Sequence, residues 1–213
     1  MAVLNITRWN SAEGTGREFG KKITDYVKLR KANGATIGLA AATSGTPGVF
    51  YTFNRYEDQG EADVDLSNIL DTELEEKRSE LIELLCEKLT YTRTSIIVPF
   101  KDMGDRSGSR PGVINGIYLP IAVGKARDFL PRAKRVVDYM EAQDQSVSLI
   151  SATSGNINRL WMLLTYKDQA EADSTVQSNY QDPAFLTAWF DMAGLLESAP
   201  ELQRGTILVS PRE

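Results

Sequence analysis

The chain of 213 residues contains no histidine and a single cysteine, Cys86. The lack of histidine excludes a Ser-His-Asp or Cys-His nucleophile pair, an imidazole general base and a histidine-ligated haem. A zinc site built from histidine and cysteine is excluded for the same reason. Any chemistry must come from carboxylates, Tyr, Lys, Arg, amides or a bound cofactor, and we predict neither a metal site nor a cofactor. Cys86 lies in an apolar periodic segment, so we expect a buried and inert thiol.

The chain also has no long apolar run and no strong excess of one charge. No stretch approaches the ~20 apolar residues that cross a bilayer, and residues 1–5 lack the basic start of a signal peptide. We therefore expect a cytoplasmic protein with no membrane partner. Its 24 basic and 29 acidic residues give a net charge of −5. That balance suits solubility and argues against a nucleic-acid partner.

An internal repeat is the main positive feature of the sequence. The stretch from Ala42 to Asp63 returns from Ala152 to Asp173 at a constant offset of 110, and 10 of its 22 positions are identical. Ordinary residue usage would give roughly one or two matches by chance. The sequence therefore predicts a tandem duplication: a first repeat over residues 1–100, a linker over 101–112 that is dense in Gly, Ser and charge, and a second repeat over 113–213.

Each repeat shows the pattern β-α-β-β-α-β. In the first repeat we predict strands at residues 3–9, 35–43, 49–56 and 92–100, and helices at 17–31 and 72–90. In the second we predict strands at 113–121, 146–153, 159–166 and 206–210, with a last helix that Asp182 caps. We also expect Thr72 and Glu75 to form a capping box. The predicted fold class is α+β, with two tandem ferredoxin-like units.

The repeated Tyr-x-Asp-Gln-x-Glu-Ala-Asp motif has two interpretations. Asp58 with Glu61 and Asp63, and Asp168 with Glu171 and Asp173, could form a catalytic carboxylate cluster. The same spacing is that of a capping box with Asp in the cap position, because each motif follows a strand and precedes a helical segment. The structural interpretation is the stronger one.

Asn5 and Asn115 are a second repeated pair, each in the middle of an otherwise apolar first strand. A mid-strand Asn bonds a neighbouring group, faces water, or presents a polar group to a cavity. For the last case we predict a ligand pocket beside the first strand of each repeat. The predicted ligand-binding residues are Asn5, Thr7, Trp9, Tyr51, Asn115, Tyr118 and Trp161. The first-repeat pocket is the better candidate because it is more polar.

The sequence resembles the dimeric α+β barrel superfamily, which includes NIPSNAP-like proteins and antibiotic biosynthesis monooxygenases. The resemblance rests on the element order, on Asp-x-x-Glu-Ala after the third strand, and on the stretch from Asp182 to Trp189. It implies two ferredoxin-like units packed as a pseudo-two-fold α+β barrel. Members usually build that barrel from two chains, whereas the linker here would let one chain build it; a homo-oligomer is left open. Cofactor-free oxygenases of the superfamily use pocket Asn and Trp residues, to which Asn5 and Trp9 are similar.

Two classes of function follow. The first is a non-catalytic module that binds a small apolar or aromatic molecule or serves a structural role. The second is a cofactor-independent monooxygenase-like enzyme acting on an aromatic or polyketide-like substrate. No catalytic residue is assigned, because no position matches a family motif closely enough.

Overall fold

The computed structural model describes residues 2–69, 72–100, 112–153 and 158–210. These residues form eight strands and six helices. The first half of the chain comprises β1 Val3–Asn10, α1 Gly16–Ala32, β2 Ile37–Ala42, β3 Val49–Tyr56, α2 Gln59–Ile69, α3 Glu73–Ile82 and β4 Thr90–Val98. The second half comprises β5 Val113–Pro120, α4 Ala126–Ala142, β6 Ser146–Ala152, β7 Arg159–Tyr166, α5 Gln169–Gln181, α6 Pro183–Ala193 and β8 Glu201–Val209.

The predicted α+β class is confirmed. The chain divides into two compact units: unit 1 extends to Ser95 and resumes at Gly205, and unit 2 runs from Ile96 to Arg204. The boundaries therefore fall within β4 and within β8. In unit 1, β1 pairs with β3 and β4, and β2 pairs with β3 and β8. In unit 2, β7 pairs with β5 and β6, and all of these pairs are antiparallel.

The first helix of each half has one buried stripe. In α1 the buried side chains include Phe19, Ile23 and Val27, and in α4 they include Phe129, Ala133 and Val137. Successive positions in each set are four residues apart, so they lie on one helix face and pack against the sheet. Phe19 and Phe129 are fully buried. Burial of each phenyl ring stabilises its unit by about 2–3 kcal/mol.

Several predicted boundaries are confirmed and others are wrong. β3 and β7 have the predicted bounds, but the helix predicted over residues 72–90 ends at Ile82. The Thr72–Glu75 capping box does not form: the Thr72 hydroxyl donates to the Ile69 carbonyl, and Glu75 pairs with Arg78. β8 begins at Glu201, five residues before the predicted start at 206. Residues 201–204 include only one apolar side chain, Leu202, so the start of the strand has no apolar pattern that a sequence reading could detect.

Cys86 is exposed, which corrects the expectation of a buried thiol. The chain has already left α3 at this point, so the apolar periodicity of Leu81 to Leu85 no longer places residue 86 on the buried helix face. The Cys86 thiol lies 3.4 Å from the Asn10 carbonyl.

The caps predicted at Asp58, Asp168 and Asp182 are confirmed. Asp58 Oδ1 accepts from the Glu61 amide at 2.9 Å, and Asp168 Oδ1 accepts from the Glu171 amide at the same distance. Asp182 Oδ1 accepts from two amides at the start of α6. Each cap supplies an acceptor to an amide that has no partner within its helix.

Two parts of the predicted repeat lie outside the described residues. The linker predicted over residues 101–112 lies outside them except for Gly112. Ser154 and Gly155, the second half of the repeated Ala-Thr-Ser-Gly turn, also lie outside them. The repeat boundaries at 1–100 and 113–213 stay a prediction.

We expect Asp168→Ala to lower the free energy of unfolding by about 1 kcal/mol, because it removes the acceptor at the start of α5. Urea unfolding followed by circular dichroism measures the change. Asp168→Asn keeps a cap acceptor and should retain most of the stability. Equal losses for the Ala and Asn variants would contradict a capping role.

Candidate functional site

The predicted site residues divide between the two faces of the sheet. Residues two apart on a strand share a face, so Asn5, Thr7 and Trp9 point the same way along β1. The Trp9 ring lies 6.1 Å from Phe19 and 6.3 Å from Tyr26, both on α1. The face that carries Asn5 is therefore the one that packs against the helices of unit 1.

Tyr51 lies on the other face of unit 1, because its partner on β1 is Arg8. The same separation occurs in unit 2. Tyr118 and Trp161 are direct partners on β5 and β7, with their rings 5.6 Å apart, whereas Asn115 alternates to the helix side. The structure brings Tyr118 and Trp161 together and separates both from Asn115.

A pocket of about 210 Å³ lies beside Asn115, between the sheet and the helices of unit 2. Its polar end consists of Asn115, Tyr166 and Asn179. Its apolar wall includes the stacked rings of Phe185 and Trp189, whose centroids are 5.8 Å apart. Residues from three strands, three helices and the segment leading into β8 line this pocket: Asn115, Ile117, Met140, Leu164, Tyr166, Val176, Asn179, Tyr180, Phe185, Trp189, Pro200 and Leu202.

Asn115 is held in a fixed orientation at the polar end. Arg204 Nε donates to its Oδ1 at 2.9 Å, and Arg204 Nη1 pairs with Asp173 at 2.6 Å. The hydrogen bond from Arg204 lowers the pKa of Asp173. Because Asn115 Oδ1 accepts from a cation, its amide nitrogen is left to donate.

Tyr166 is the second polar group at this end. Burial raises its pKa to about 12, against a smaller opposite effect of a hydrogen bond from Asn115. The hydroxyl therefore stays protonated at neutral pH and serves as a hydrogen-bond donor rather than as a base.

Asn179 is fixed by a reciprocal amide pair. Gln145 Nε2 donates to Asn179 Oδ1 at 2.9 Å, and Asn179 Nδ2 donates to Gln145 Oε1 at 3.1 Å. This pair ties α5 to the segment before β6 and leaves Asn115 and Tyr166 as the groups best placed to contact a ligand.

The equivalent region of unit 1 has different chemistry. Asn5 is 2% exposed, and its Oδ1 has no hydrogen-bond partner among the described residues. Its direct partner on β3 is Asn54, whose Oδ1 is also buried without a partner there. Such acceptors cost about 1–3 kcal/mol each unless a donor reaches them.

A buried ion pair lies beside Tyr56 in unit 1. Arg30, 4% exposed, donates from Nη2 to both carboxylate oxygens of Asp65 at 2.9 and 2.6 Å, and its Nη1 is 3.4 Å from the Tyr26 hydroxyl. Tyr56 donates to Asp65 at 2.5 Å. Burial, followed by this hydrogen bond, raises the pKa of Tyr56. Arg30 and Asp65 also line an outer cleft of about 310 Å³ between α1, α2 and α3, but they are already bonded to each other.

The repeated acidic motif is used for structure in both units. Beyond the cap, Gln59 and Asp63 accept from Arg93 Nη1 at 3.1 and 2.7 Å. In unit 2, Asp173 accepts from Arg204 and from Gln169. The motif thus joins the first turn of α2 to β4, and that of α5 to β8. No carboxylate cluster of a catalytic kind forms there among the residues described.

Tyr166, Trp189, Met140 and Arg204 were not among the predicted site residues. Tyr166 carries a signal in the sequence, because it belongs to the repeated motif. Trp189 belongs to the stretch after Asp182. Arg204 and Met140 carry none, since each reaches the pocket region only through the pairing of distant elements.

No family model and no curated protein matches this chain. Solved structures do. A candidate monooxygenase from Fusobacterium nucleatum superposes with a TM-score of 0.76 at 13% identity, covering 97% of this chain and 92% of that one. A candidate monooxygenase from Lactobacillus acidophilus gives 0.71 at 13% identity, covering 97% and 93%. An anthrone oxidase-like protein gives 0.69 at 9% identity, covering 100% and 94%. The predicted resemblance to the dimeric α+β barrel superfamily is confirmed at the level of the fold.

The described residues contain no helix of the length and apolar character that a membrane span needs. They also contain no group of three or more Asp, Glu, Cys or His side chains that could hold a metal ion.

We expect Asp65→Ala to lower the free energy of unfolding by about 3 kcal/mol, because it leaves the Arg30 guanidinium buried without its counter-charge. Urea unfolding measures this loss. The double variant Arg30→Met, Asp65→Thr removes both charges together and should lose less than Asp65→Ala alone. A double variant that loses as much as the sum of its single variants would contradict a coupled buried pair.

Proposed function

We propose that unit 2 binds a small, mostly apolar molecule with an aromatic ring in the pocket beside Asn115. The observation that carries the proposal is the composition of the lining: stacked aromatic rings on one side, Asn115 and Tyr166 at one end, and no Asp, Glu, Lys or Arg among the described lining residues. Sites for small ligands commonly combine an apolar wall with a few oriented polar groups.

The size and polarity of the pocket limit the ligand. A volume of about 210 Å³ is smaller than the roughly 300–1,000 Å³ typical of drug-sized ligands. The pocket therefore suits a molecule of one or two fused rings. Tyr166 offers a protonated hydroxyl and Asn115 an amide donor, so the ligand should carry a carbonyl or hydroxyl oxygen at one end. The proposal moves the preferred site from the first half, where the sequence favoured it, to the second.

We further propose that the chain is a tandem duplication of a ferredoxin-like unit. β1 and β5, α1 and α4, and β3 and β7 have bounds that differ by 110 residues. The register Val3↔Tyr56 has the counterpart Val113↔Tyr166. A cytoplasmic location and the oligomeric state stay predictions.

The binding function is tested with 1-naphthol, a bicyclic aromatic with one hydroxyl. We expect Tyr166→Phe to weaken its Kd about fivefold in isothermal titration calorimetry, the equivalent of one hydrogen bond of ~1 kcal/mol. The matched control is Tyr56→Phe, the same change at the corresponding position of unit 1, which should leave the Kd unchanged. Equal effects of the two variants, or none from either, would remove the proposed site.

A second function, that of a cofactor-independent oxygenase, is favoured by the aromatic wall beside a protonated tyrosine and by the oxidase-like and monooxygenase neighbours of this fold. For 1-naphthol, which fits the size limit of the pocket, the balanced reaction consumes one O2 and yields 1,4-naphthoquinone and one water. Tyr166 would donate to the naphthol oxygen and so stabilise negative charge that develops there. The lack of an acid or base in the described lining makes this the second choice.

Oxygen uptake with 1-naphthol, followed with an oxygen electrode, distinguishes the two functions. If the oxygenase function holds, the wild-type protein accelerates O2 uptake above buffer, and Tyr166→Phe lowers the rate about tenfold while Tyr56→Phe does not. A protein that binds 1-naphthol at this site but leaves the rate of O2 uptake at the buffer value is a binding protein and not this enzyme.

A further inference from the structure

The two units can be compared position by position, each within its own frame. Asn5, Tyr56 and Arg30 in unit 1 correspond at the offset of 110 to Asn115, Tyr166 and Met140 in unit 2. The asparagine and the tyrosine are the same in both, and each lies on the helix-facing side of its sheet. The differences lie in the helices above them.

In unit 1 a pair of charged side chains spans the space above Tyr56. Arg30 reaches from α1 to Asp65 on α2, and Tyr26 and Tyr56 contribute their hydroxyls to the same network. Arg30 Nη2 contacts both carboxylate oxygens of Asp65, so the charged pair spans the gap between the two helices.

In unit 2 none of these polar groups is present. Tyr26, Arg30 and Asp65 correspond to Val136, Met140 and Thr175. Met140 of α4 and Val176 of α5 instead line the pocket together with Asn115 and Tyr166. The charged pair that spans this region in unit 1 therefore has no counterpart in unit 2.

Unit 1 nevertheless keeps a polar group suited to a ligand. Asn5 is nine-tenths or more buried, and its Oδ1 has no hydrogen-bond partner among the described residues. This oxygen can accept from a ligand hydroxyl, which is the complement of the donors that unit 2 presents.

We infer that unit 1 contains a latent site for the same class of ligand, a small hydroxylated aromatic molecule, and that the Arg30–Asp65 pair closes it, so that the chain binds one ligand and not two. The inference rests on the proposed function for the ligand class and for the open site. It assigns to the ion pair the role of setting the number of ligands bound per chain.

The test is the stoichiometry of 1-naphthol binding measured by calorimetry. Wild-type protein should bind one equivalent. The variant Arg30→Met, Asp65→Thr takes the residues found at the same positions of unit 2 and should bind two. The matched control is Lys134→Met, Asp138→Thr, which removes an exposed pair of the same charges on α4; it should still bind one. Circular dichroism melting verifies that each variant is folded.

A reciprocal variant tests the same inference if the variant Arg30→Met, Asp65→Thr, called the opened variant below, does not fold. Met140→Arg with Thr175→Asp places the charge pair in unit 2, and we expect affinity for 1-naphthol to fall at least tenfold. Unchanged affinity in a folded reciprocal variant would overturn the inference.

The outcomes separate the inference from the proposed function. One equivalent bound by a folded opened variant, with wild-type binding still sensitive to Tyr166→Phe, overturns the latent site and leaves the function of unit 2 intact. No binding by wild type together with one equivalent for the opened variant supports the closing role of the pair and rejects the proposed function of unit 2.

Discussion

Polar groups buried between a sheet and its helices must find partners, and this constraint governs both units. An asparagine and a tyrosine lie on the helix-facing side of the sheet in each unit, where unbonded oxygens cost free energy. Unit 1 meets the demand at its tyrosine with a charged network built on Arg30 and Asp65. Unit 2 meets it at its asparagine with Arg204, which approaches from β8 and leaves the space above the sheet apolar. The two units therefore differ in which element supplies the charged partner: helices α1 and α2 in unit 1, and strand β8 in unit 2.

Much of the secondary structure could be predicted from the sequence because its signals are local. β3 and β7 are rich in aromatic and branched residues, and the stripes of α1 and α4 have clear helical spacing. Caps at Asp58, Asp168 and Asp182 could be predicted because capping is decided within one helical turn. The strand β8 was mostly missed, since its first four residues are polar or exposed and its position depends on pairing with distant strands.

The site could be predicted only in part, for a physical reason. Asn115 can be predicted because an amide in the middle of an apolar strand is unusual. The sequence does not separate it from Tyr118 and Trp161, because both faces of β5 are largely apolar and alternation alone does not tell which face the helices cover. Trp189 and Met140 come from helices whose spacing predicts burial without predicting that a gap remains between them. A gap is a property of packing among several elements, and no single segment encodes it.

The Arg30–Asp65 pair also restricts how the sequence of unit 1 can drift. Either residue changed alone leaves the other as an uncompensated charge in a buried setting. A substitution at one of the two positions is therefore tolerated mainly when the other residue changes with it. Met140 and Thr175 carry no such mutual dependence, so unit 2 can change its pocket one residue at a time. Unit 1 is then more constrained in sequence at these positions than unit 2.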